Sequence, residues 1–355
     1  MTHLLADLTT LRVGGPARKL VEARTDAELV EAVVAADAAG EPLLLVAGGS
    51  NLLVADAGFD GTVVHVSTQG VSVASEDACG GGVVTVAAGH SFDAFVATAV
   101  QRGWAGVEAL SGIPGSVGAT PVQNVGAYGQ DVAQTIETVR TWDRVERRQR
   151  TFVAAELEFA YRTSLLKRSR VALNGPHPES RYVVLDVTFQ FPLRAAASEV
   201  AYPELARRLG VEVGARVSSA AVRAAVLELR AGKGMVWDPA DRSDHDTWSA
   251  GSFFTNPLLR PDQADALPAD APRFPGGDGL VKTSAAWLID HAGFGKGFGA
   301  PGPATLSTKH TLAITNRGEA TAADLLALAR TVTDGVEARF GIRLVNEPVL
   351  VGTSL

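Results

Sequence analysis

A glycine-rich loop opens at Ser111 and reads Ser111-Gly112-Ile113-Pro114-Gly115-Ser116-Val117-Gly118-Ala119. Its three glycines recur every third residue, and Pro114 fixes the bend. Backbone amides without neighbouring side chains can approach an anion closely, and Ser111 and Ser116 offer further donors. The composition therefore predicts an anion-binding nest. It matches neither the Gly-Lys-Ser/Thr ending of a Walker loop nor the Gly-x-Gly-x-x-Gly of a Rossmann fingerprint.

A second glycine loop, Gly48-Gly49-Ser50-Asn51, follows an apolar strand predicted at 43–47. Taken alone, a Gly-Gly pair is more often a tight turn that needs positive φ. Two phosphate loops outside the Rossmann pattern favour instead a dinucleotide held across two subdomains. The segment 123–129, with its amide side chains and small residues, predicts a surface on which a flat heterocycle can lie.

The apolar periodicity predicts a βαβ-like beginning, a strand-rich middle and a last third of alternating helices and strands. Thr25 and Glu28 form a capping-box signature for the first helix, and Ser91 caps a second helix that ends before Gly103. The segment 261–279 is rich in proline, aspartate and glycine, and we expect an exposed loop there. Further predicted helices are 217–231 and 321–340, and the predicted strands are 18–23, 43–47, 62–66, 71–74, 83–87, 139–143, 182–191 and 343–351.

Composition places the chain among ordinary globular proteins. It has 355 residues, of which 46% are hydrophobic and 20% charged, and this length predicts two or three packed units. No apolar run approaches the length of a membrane span, and residues 1–10 lack the features of a secretory signal, so we expect a soluble, cytoplasmic protein. A formal charge of −7 argues against a general nucleic-acid binder but leaves room for a local basic site for phosphates.

The single cysteine, Cys79, excludes an intrachain disulfide and a cysteine-based metal cage. Glu76 and Asp77 precede it, and this anionic setting disfavours the thiolate that a nucleophile needs. We therefore expect an inert Cys79 and no metal site.

Taken with the motifs described below, the two loops resemble the UDP-N-acetylenolpyruvoylglucosamine reductase family over about residues 9–352. At least six separated motifs occur in the family's order. The resemblance implies an α+β protein with a vanillyl-alcohol-oxidase-type FAD-binding fold in two subdomains and a C-terminal α/β substrate-binding domain. The implied boundaries are 1–67 with strand 342–355 for subdomain 1, 68–216 with a substrate loop around 195–213 for subdomain 2, and 217–341 for the substrate domain.

The resemblance also implies the cofactor. FAD would bind with its pyrophosphate against the two glycine loops and its isoalloxazine near 123–129, and NADPH would be the co-substrate. Neither loop offers a histidine or cysteine for covalent attachment, so noncovalent FAD is expected, and His65 and His90 are better explained as polar or structural residues. The implied FAD-binding residues are Gly48, Gly49, Ser50, Asn51, Leu52, Ser111, Gly112, Ile113, Gly115, Ser116, Gly118, Gln123, Asn124, Gly126 and Ala127.

Three residues match the catalytic positions of the family. Arg162, in Tyr161-Arg162-Thr163-Ser164, supplies a guanidinium suited to an enolate. Ser252, in Gly251-Ser252-Phe253-Phe254, would protonate the enolate carbon, and Glu347 would act as a neutral acid with a raised pKa. Without the resemblance they would be read as a surface arginine, a turn serine and a solvated glutamate.

Substrate-binding positions carry over as well. The resemblance implies that Lys233 contacts the nucleotide phosphate and that Tyr202 covers the substrate, as in the loop-bearing class of the family. At His310 the better-known family pattern has glutamine. The implied substrate-binding residues are Tyr161, Tyr202, Lys233, Asn256, Lys296 and His310.

The implied activity is the NADPH-dependent reduction of UDP-N-acetylglucosamine enolpyruvate to UDP-N-acetylmuramate in peptidoglycan precursor synthesis. We expect a monomer without nucleic-acid or membrane partners. An oxidase of sugars or hydroxy acids on the same FAD fold is the runner-up, although it would not need Ser252 or Lys233. A dinucleotide-binding protein without catalysis is the third alternative, and it leaves Arg162, Ser252 and Glu347 unexplained.

Overall fold

A computed structural model describes residues 3–77, 81–174, 179–192 and 199–355. Cys79 and part of the predicted substrate loop, 195–198, lie outside these residues. The chain forms two compact units. The first unit comprises Met1–Pro16, Gly49–Phe59 and Gly232–Leu355, and the second unit comprises Ala17–Gly48 and Asp60–Ala231. The three-part division expected from the sequence stays a prediction.

The secondary structure is mixed throughout the described residues. The helices are α1 (Asp26–Ala38), α2 (Phe92–Arg102), α3 (Thr120–Gln123), α4 (Leu165–Arg168), α5 (Pro203–Leu209), α6 (Ser219–Gly232), α7 (Pro261–Asp265), α8 (Ala285–His291) and α9 (Ala322–Phe340). The strands are β1 (Ala17–Ala23), β2 (Leu43–Val46), β3 (Leu52–Val54), β4 (Phe59–Val66), β5 (Val71–Asp77), β6 (Gly81–Ala87), β7 (Gly126–Ala127), β8 (Gln130–Asp131), β9 (Ile136–Asp143), β10 (Arg148–Val153), β11 (Tyr182–Phe191), β12 (Leu258–Leu259), β13 (Phe274–Pro275), β14 (Val281–Lys282), β15 (Ala304–Leu306), β16 (Ile314–Asn316) and β17 (Val349–Val351).

The second unit contains a five-stranded antiparallel sheet in the order β10-β9-β11-β6-β5. Strand β11 lies at its centre and has the bounds that the sequence predicts. Helix α2 packs on this sheet, with the ring of Phe95 at 4.9 Å from that of Phe189 between centroids. Both rings are fully buried, and truncating either would cost about 3–5 kcal/mol.

Helix α2 begins next to the glycine-rich loop. Ser91 caps it as predicted, its hydroxyl accepting from the amide of Ala94 at 3.4 Å, and Gly103 ends it in a left-handed conformation. The amide of Phe92 donates to the carbonyl of Gly115 at 3.0 Å. The packed helix therefore holds the middle of the loop in place.

The first part of the second unit forms a smaller, three-stranded sheet in the order β1-β4-β2. Strands β2 and β4 are parallel. The chain between them contains β3, and α1 connects β1 to β2. The predicted capping box at Thr25 and Glu28 is confirmed, with both reciprocal hydrogen bonds present. Strand β2 ends at Val46, so the apolar strand delivers the chain directly to Gly48.

The core of the first unit forms around α9, which packs its apolar face against β15, β16 and α8. Thr321 and Asp324 cap this helix reciprocally. Asp56 adds a second cap, since its carboxylate accepts from the amides of Ala322 at 2.7 Å and Ala323 at 3.0 Å. A negative charge there also suits the positive end of the helix dipole.

Two secondary-structure predictions are wrong in part. The segment 261–279 is not simply an exposed loop, because it contains α7 and β13 and buries Ala264 and Leu267. Proline suits the first turn of a helix, and small apolar residues can face a core in a segment that reads as polar. The closing strand is limited to β17 rather than 343–351, since Pro348 has no amide hydrogen to donate to a ladder.

Within the described residues, no helix is both long enough and apolar enough to cross a membrane.

Candidate active site

Gly48 and the glycine-rich loop 111–119 meet inside the second unit. A methyl group on Gly48 would lie 2.5 Å from the Cα of Gly115, and one on Gly118 would lie 2.5 Å from the Cβ of Ala88. Real Cβ atoms do not approach neighbours this closely. Glycine is therefore required at both positions, and Gly48 lies directly against the loop 111–119.

The loop 111–119 fits an anionic ligand. Gly112 and Gly115 have φ values of +72° and +115°, a backbone that favours glycine. The Ser116 side chain is only 3% exposed, and its Oγ has no hydrogen-bond partner among the described residues. A buried hydroxyl without a partner is costly, so a ligand oxygen at this loop would satisfy it. This composition fits the pyrophosphate of FAD.

An ionic network that the sequence did not reveal lies behind this loop. Asp93, on α2, accepts from the amide of Gly112 at 2.6 Å and from the guanidinium of Arg223, on α6, at 2.6 and 3.0 Å. Burial alone would raise the pKa of Asp93, but these hydrogen bonds hold it below its ordinary value. Arg230 lies two turns further along the same face of α6 and is buried against Gly112. Burial lowers the pKa of its guanidinium. In the sequence, the spacing of seven residues between Arg223 and Arg230 indicates that both side chains lie on one face of a helix.

Both histidines that could be considered for flavin attachment lie in the second unit. His65 is half-buried with its Nδ1 at 3.2 Å from Ser67 Oγ, and burial lowers its pKa. The carbonyl of His90 accepts from the amide of Val117 at 2.9 Å, and burial lowers the pKa of this ring as well. The polar or structural roles expected for His65 and His90 stay predictions.

Arg162 occupies a tight turn of the second unit. Its φ of +55° lies in the left-handed region, which costs a non-glycine residue about 1–2 kcal/mol. Ala160 and Thr163 close the turn by exchanging backbone hydrogen bonds at 3.1 and 3.2 Å. The Arg162 guanidinium donates to the carbonyl of Gly126 at 2.9 Å and lies 5.4 Å from the centroid of the Tyr161 ring. Strained residues of this kind concentrate at functional sites.

The turn is joined to the segment 123–129. Asn124 donates from Nδ2 to the carbonyl of Ala160 at 3.3 Å and accepts at Oδ1 from the amide of Ala133 at 3.2 Å. Ser164 Oγ donates to the carbonyl of Val122 at 2.8 Å. The structure therefore brings Arg162 together with the amide-rich segment that the sequence marks as a flavin-binding surface.

Asp131 provides negative charge near Arg162. A methyl group on Gly126 would lie 2.8 Å from the Asp131 Cβ, which places this carboxylate behind the residue that Arg162 contacts. Burial raises the pKa of Asp131, opposed by the amides of Ala133 and Gln134 and by the charge of Arg162. The Asp131 carboxylate therefore lies close enough to Arg162 for the two charges to interact.

Tyr202 lies over the same segment. Its ring is 5.6 Å from that of Tyr128 between centroids, at an interplanar angle of 87°, and its residue is 43% exposed. The predicted substrate loop around 195–213 contains helix α5, which begins at Pro203 and buries Leu205.

Ser252 and Glu347 are brought together in the first unit. The amide of Glu347 donates to the carbonyl of Phe253 at 2.8 Å, and the amide of Thr255 donates to the carbonyl of Val345 at 3.0 Å. The chain around Ser252 thus runs antiparallel to the chain around Glu347. Both residues are half-buried.

After Gly48, the loop 48–51 leads into strand β3 of the first unit, which pairs with β17 just after Glu347. A methyl group on Gly49 would lie 1.7 Å from the carbonyl oxygen of Leu8, so the chain passes too close for any other residue. Asn51 donates from Nδ2 to the carbonyl of Glu347 at 3.4 Å, and Leu52 pairs with Val349 in the parallel β3–β17 ladder. The part of the loop from Gly49 onward therefore lies next to Glu347 within the first unit.

His310 and Lys296 belong to neighbouring turns of the first unit. The amide of Phe253 donates to the carbonyl of Leu312 at 2.7 Å, so the turn containing His310 borders the Ser252 segment. The amide of Gly297 donates to the carbonyl of Ser307 at 3.2 Å, and this places Lys296 at the adjacent turn. Lys296 is exposed, and His310 is half-buried.

The remaining predicted substrate residues have visible structural contacts. Asn256 accepts at Oδ1 from the amide of Ala285 at 3.0 Å and so holds the start of α8. Lys233 is half-buried and directly precedes Gly234, where a methyl group would lie 2.8 Å from the Cβ of Asp246. Asp246 in turn accepts from the Thr308 amide at 2.9 Å. Asp246 thereby connects the turn that contains Lys233 to the turn that contains His310.

Two family models match the chain. An FAD binding domain matches residues 17–148, and the C-terminal domain of UDP-N-acetylenolpyruvoylglucosamine reductase matches residues 241–351. The predicted FAD-binding fold with a C-terminal domain is confirmed by these matches.

Individual relatives match over nearly the whole chain. The UDP-N-acetylenolpyruvoylglucosamine reductase of Cutibacterium acnes is 58% identical over 353 residues, which cover 99% of this chain and 90% of that protein. The enzyme of the same name from Streptomyces coelicolor is 52% identical over 362 residues, with the same coverage of 99% and 90%. The crystal structure of UDP-N-acetylenolpyruvylglucosamine reductase from Thermus caldophilus aligns at a TM-score of 0.65 and 27% identity, covering 99% of this chain and 98% of that one.

Proposed function

The chain belongs to the UDP-N-acetylenolpyruvoylglucosamine reductase family, and from this premise we propose that Arg162, Ser252 and Glu347 carry its chemistry. The resemblance drawn from the sequence is confirmed. The enzyme is an FAD-dependent oxidoreductase that reduces UDP-N-acetylglucosamine enolpyruvate to UDP-N-acetylmuramate with NADPH, in peptidoglycan synthesis. Its monomeric state, its cytoplasmic location and its lack of nucleic-acid partners stay predictions.

FAD would be held by the residues that the sequence marks for it. These are the loop 48–52, the loop 111–119 and the segment 123–127. Support comes from the backbone contacts that exclude side chains at Gly48 and Gly118, and from the buried Ser116 hydroxyl. Bound FAD supplies the hydride chemistry, accepting a hydride from NADPH and donating one to the enolpyruvyl double bond.

Arg162 stabilises the charge that develops on the substrate. When a hydride adds to one carbon of the enolpyruvyl double bond, negative charge builds on the carbon that bears the carboxylate and on its oxygens. A guanidinium fixed in advance lowers the energy of that state without reorganising. The left-handed turn and the hydrogen bond to Gly126 support this role, because they hold the side chain before substrate binds.

Ser252 donates the proton, and Glu347 acts beside it. The carbanionic carbon is strongly basic, so a hydroxyl is acidic enough to protonate it if the proton is resupplied. Glu347, acting as a neutral acid, would donate a hydrogen bond to the developing enolate. The observation that carries this assignment is the 2.8 Å hydrogen bond between the Glu347 amide and the carbonyl of Phe253, which fixes the two segments side by side.

The substrate would be held by a set of charged and aromatic side chains. Lys233 and Lys296 would pair with the nucleotide phosphates, and Tyr161 and Tyr202 would cover the substrate from the second unit. Asn256 and His310 complete the proposed set. For Asn256, the bond from the Ala285 amide fixes the orientation of the side-chain amide.

Purified protein is expected to carry stoichiometric FAD that acid precipitation releases. The loops present glycines and serines rather than a nucleophile that could bond to the isoalloxazine. The measurement is the absorbance spectrum of the supernatant after precipitation, compared with authentic FAD. A colourless protein that binds no added flavin, or flavin retained in the pellet, would contradict this expectation.

Replacing Tyr202 by alanine is expected to weaken binding of the sugar nucleotide while leaving reduction of FAD by NADPH intact. The exposed ring lies at the edge of the segment 123–129 and can cover a ligand there. Tyr202→Phe should show a smaller loss, because it keeps the ring. Val213→Ala, another exposed position on the same segment, is the control. Unchanged substrate affinity in Tyr202→Ala would mean that the loop only connects two parts of the fold.

A further inference from the structure

We propose that Lys167 is a positioning residue that fixes Arg162 and the Gln123 amide with a single ammonium group. This inference rests on the proposed role of Arg162 in the reaction. It concerns how the turn that carries Arg162 acquires its geometry.

Lys167 lies on α4, a short helix that follows the turn and that Ser164 caps. Its Nζ donates to Gln123 Oε1 at 2.6 Å and to the carbonyl oxygen of Arg162 at 3.1 Å. The side chain is half-buried. An ammonium bond to a neutral acceptor in such a setting is stronger than a neutral hydrogen bond, so both contacts restrain their partners firmly.

The bond from Lys167 to the Arg162 carbonyl adds to the hydrogen bonds that close the turn. The reciprocal bonds between Ala160 and Thr163 close the turn but do not include the Arg162 carbonyl. With φ at +55°, Arg162 adopts a conformation that the chain does not prefer on its own. A cation that binds the carbonyl of this residue stabilises the orientation of its peptide group, and with it the direction in which the guanidinium leaves the backbone.

The bond to Gln123 sets the orientation of an amide. An ammonium group can only donate, so the amide must turn its oxygen toward Lys167, and its NH₂ group faces away as a donor. Gln123 belongs to the segment proposed to contact the flavin. Lys167 therefore links a donor on that surface to the residue proposed to stabilise the substrate charge.

The turn stays attached to this segment without Lys167. Ser164 bonds the carbonyl of Val122 at 2.8 Å, and Asn124 bonds the carbonyl of Ala160 at 3.3 Å. Removal of the ammonium is therefore expected to leave the fold and the turn in place while loosening Arg162. A loss of alignment of this kind slows a reaction step more than it weakens binding.

The first test compares Lys167→Met with Arg168→Met, a matched control on the same helix whose exposed side chain pairs with Glu158. Lys167→Met should retain FAD and its reduction by NADPH within about twofold, and should reoxidise on the enolpyruvyl sugar nucleotide roughly ten- to hundredfold more slowly. The loss should appear in kcat rather than KM, and Lys167→Arg should recover part of it. Equal slowing of both half-reactions, or no slowing relative to Arg168→Met, would overturn the proposal.

The second test is a double-mutant cycle with Arg162→Ala. If Lys167 acts through Arg162, adding Lys167→Met to Arg162→Ala should slow reoxidation by less than about twofold further, whereas independent roles would multiply the two losses and overturn the proposal. If Lys167→Met does not fold, Lys167→Arg takes its place in the cycle, since a guanidinium cannot reproduce both bonds of the ammonium. Unchanged reoxidation in Arg162→Ala alone would refute the proposed role of Arg162 itself.

Discussion

Replacement of Ser252 by alanine is expected to leave FAD bound and its reduction by NADPH near normal, while reoxidation by UDP-N-acetylglucosamine enolpyruvate falls roughly a hundredfold or more. Hydride and proton transfer occur at adjacent carbons, and only proton transfer needs the Ser252 hydroxyl. NADPH gives up its hydride without help from a proton donor. A stopped-flow comparison of the two half-reactions measures both effects on one preparation.

Ser249→Ala is the matched control for this substitution. It removes a hydroxyl from the same stretch of chain, where Ser249 Oγ accepts from the amide of Gly251 at 3.2 Å. The control therefore reports what a locally loosened turn does to the reaction. If Ser252→Ala slowed both half-reactions equally, slowed neither, or behaved like Ser249→Ala, Ser252 would be a structural turn residue and its assignment as the proton donor would be wrong.

Replacement of Gly48 by alanine is expected to produce protein with little or no bound FAD. The added methyl group would lie 2.5 Å from the Cα of Gly115 and 2.9 Å from its carbonyl carbon. These are backbone atoms, so one phosphate loop has to move away from the other. Overpacking of this kind costs about 1–3 kcal/mol, which corresponds to roughly ten- to hundredfold weaker binding of FAD. Quenching of flavin fluorescence during titration of the apoprotein measures the dissociation constant.

Gly295→Ala provides the comparison, because a methyl group there meets no atom within 4 Å. That variant should bind FAD as the unmodified protein does and unfold at a similar temperature. Full flavin occupancy in Gly48→Ala would show that the contact between the two loops is not needed for the cofactor. A drop in thermal stability without any change in FAD affinity would lead to the same conclusion.

The two glycine loops could be recognised in the sequence because the close approach of their backbones requires glycine. A backbone that passes within van der Waals contact of another backbone requires glycine, and this is the case at Gly48 and Gly118. Helix α2 and strand β11 were predictable for a related reason. Their caps and apolar periodicity are local features, and the packing of Phe95 against β11 agrees with them.

Other features depend on contacts between residues that are distant in the chain. From the sequence alone, Asp93 is an ordinary residue in the first turn of a helix, yet its carboxylate bonds both Gly112 and Arg223, and Arg223 is 130 positions away from it. Lys167 reads as a solvated lysine, although its ammonium group bonds two residues of the site. Neither the partners of Asp93 nor those of Lys167 can be identified from residues close to them in the chain. The sequence therefore indicates the loops but not the side chains that hold them.

The central claim is that this chain uses FAD to pass electrons from NADPH to an enolpyruvyl sugar nucleotide. The most direct measurement is anaerobic stopped-flow absorbance of the purified holoenzyme in two sequential mixes. NADPH should bleach the flavin, and UDP-N-acetylglucosamine enolpyruvate should then restore its colour with an equimolar yield of UDP-N-acetylmuramate. A reduced flavin that stays bleached with this substrate but regains its colour on admission of oxygen would contradict the account.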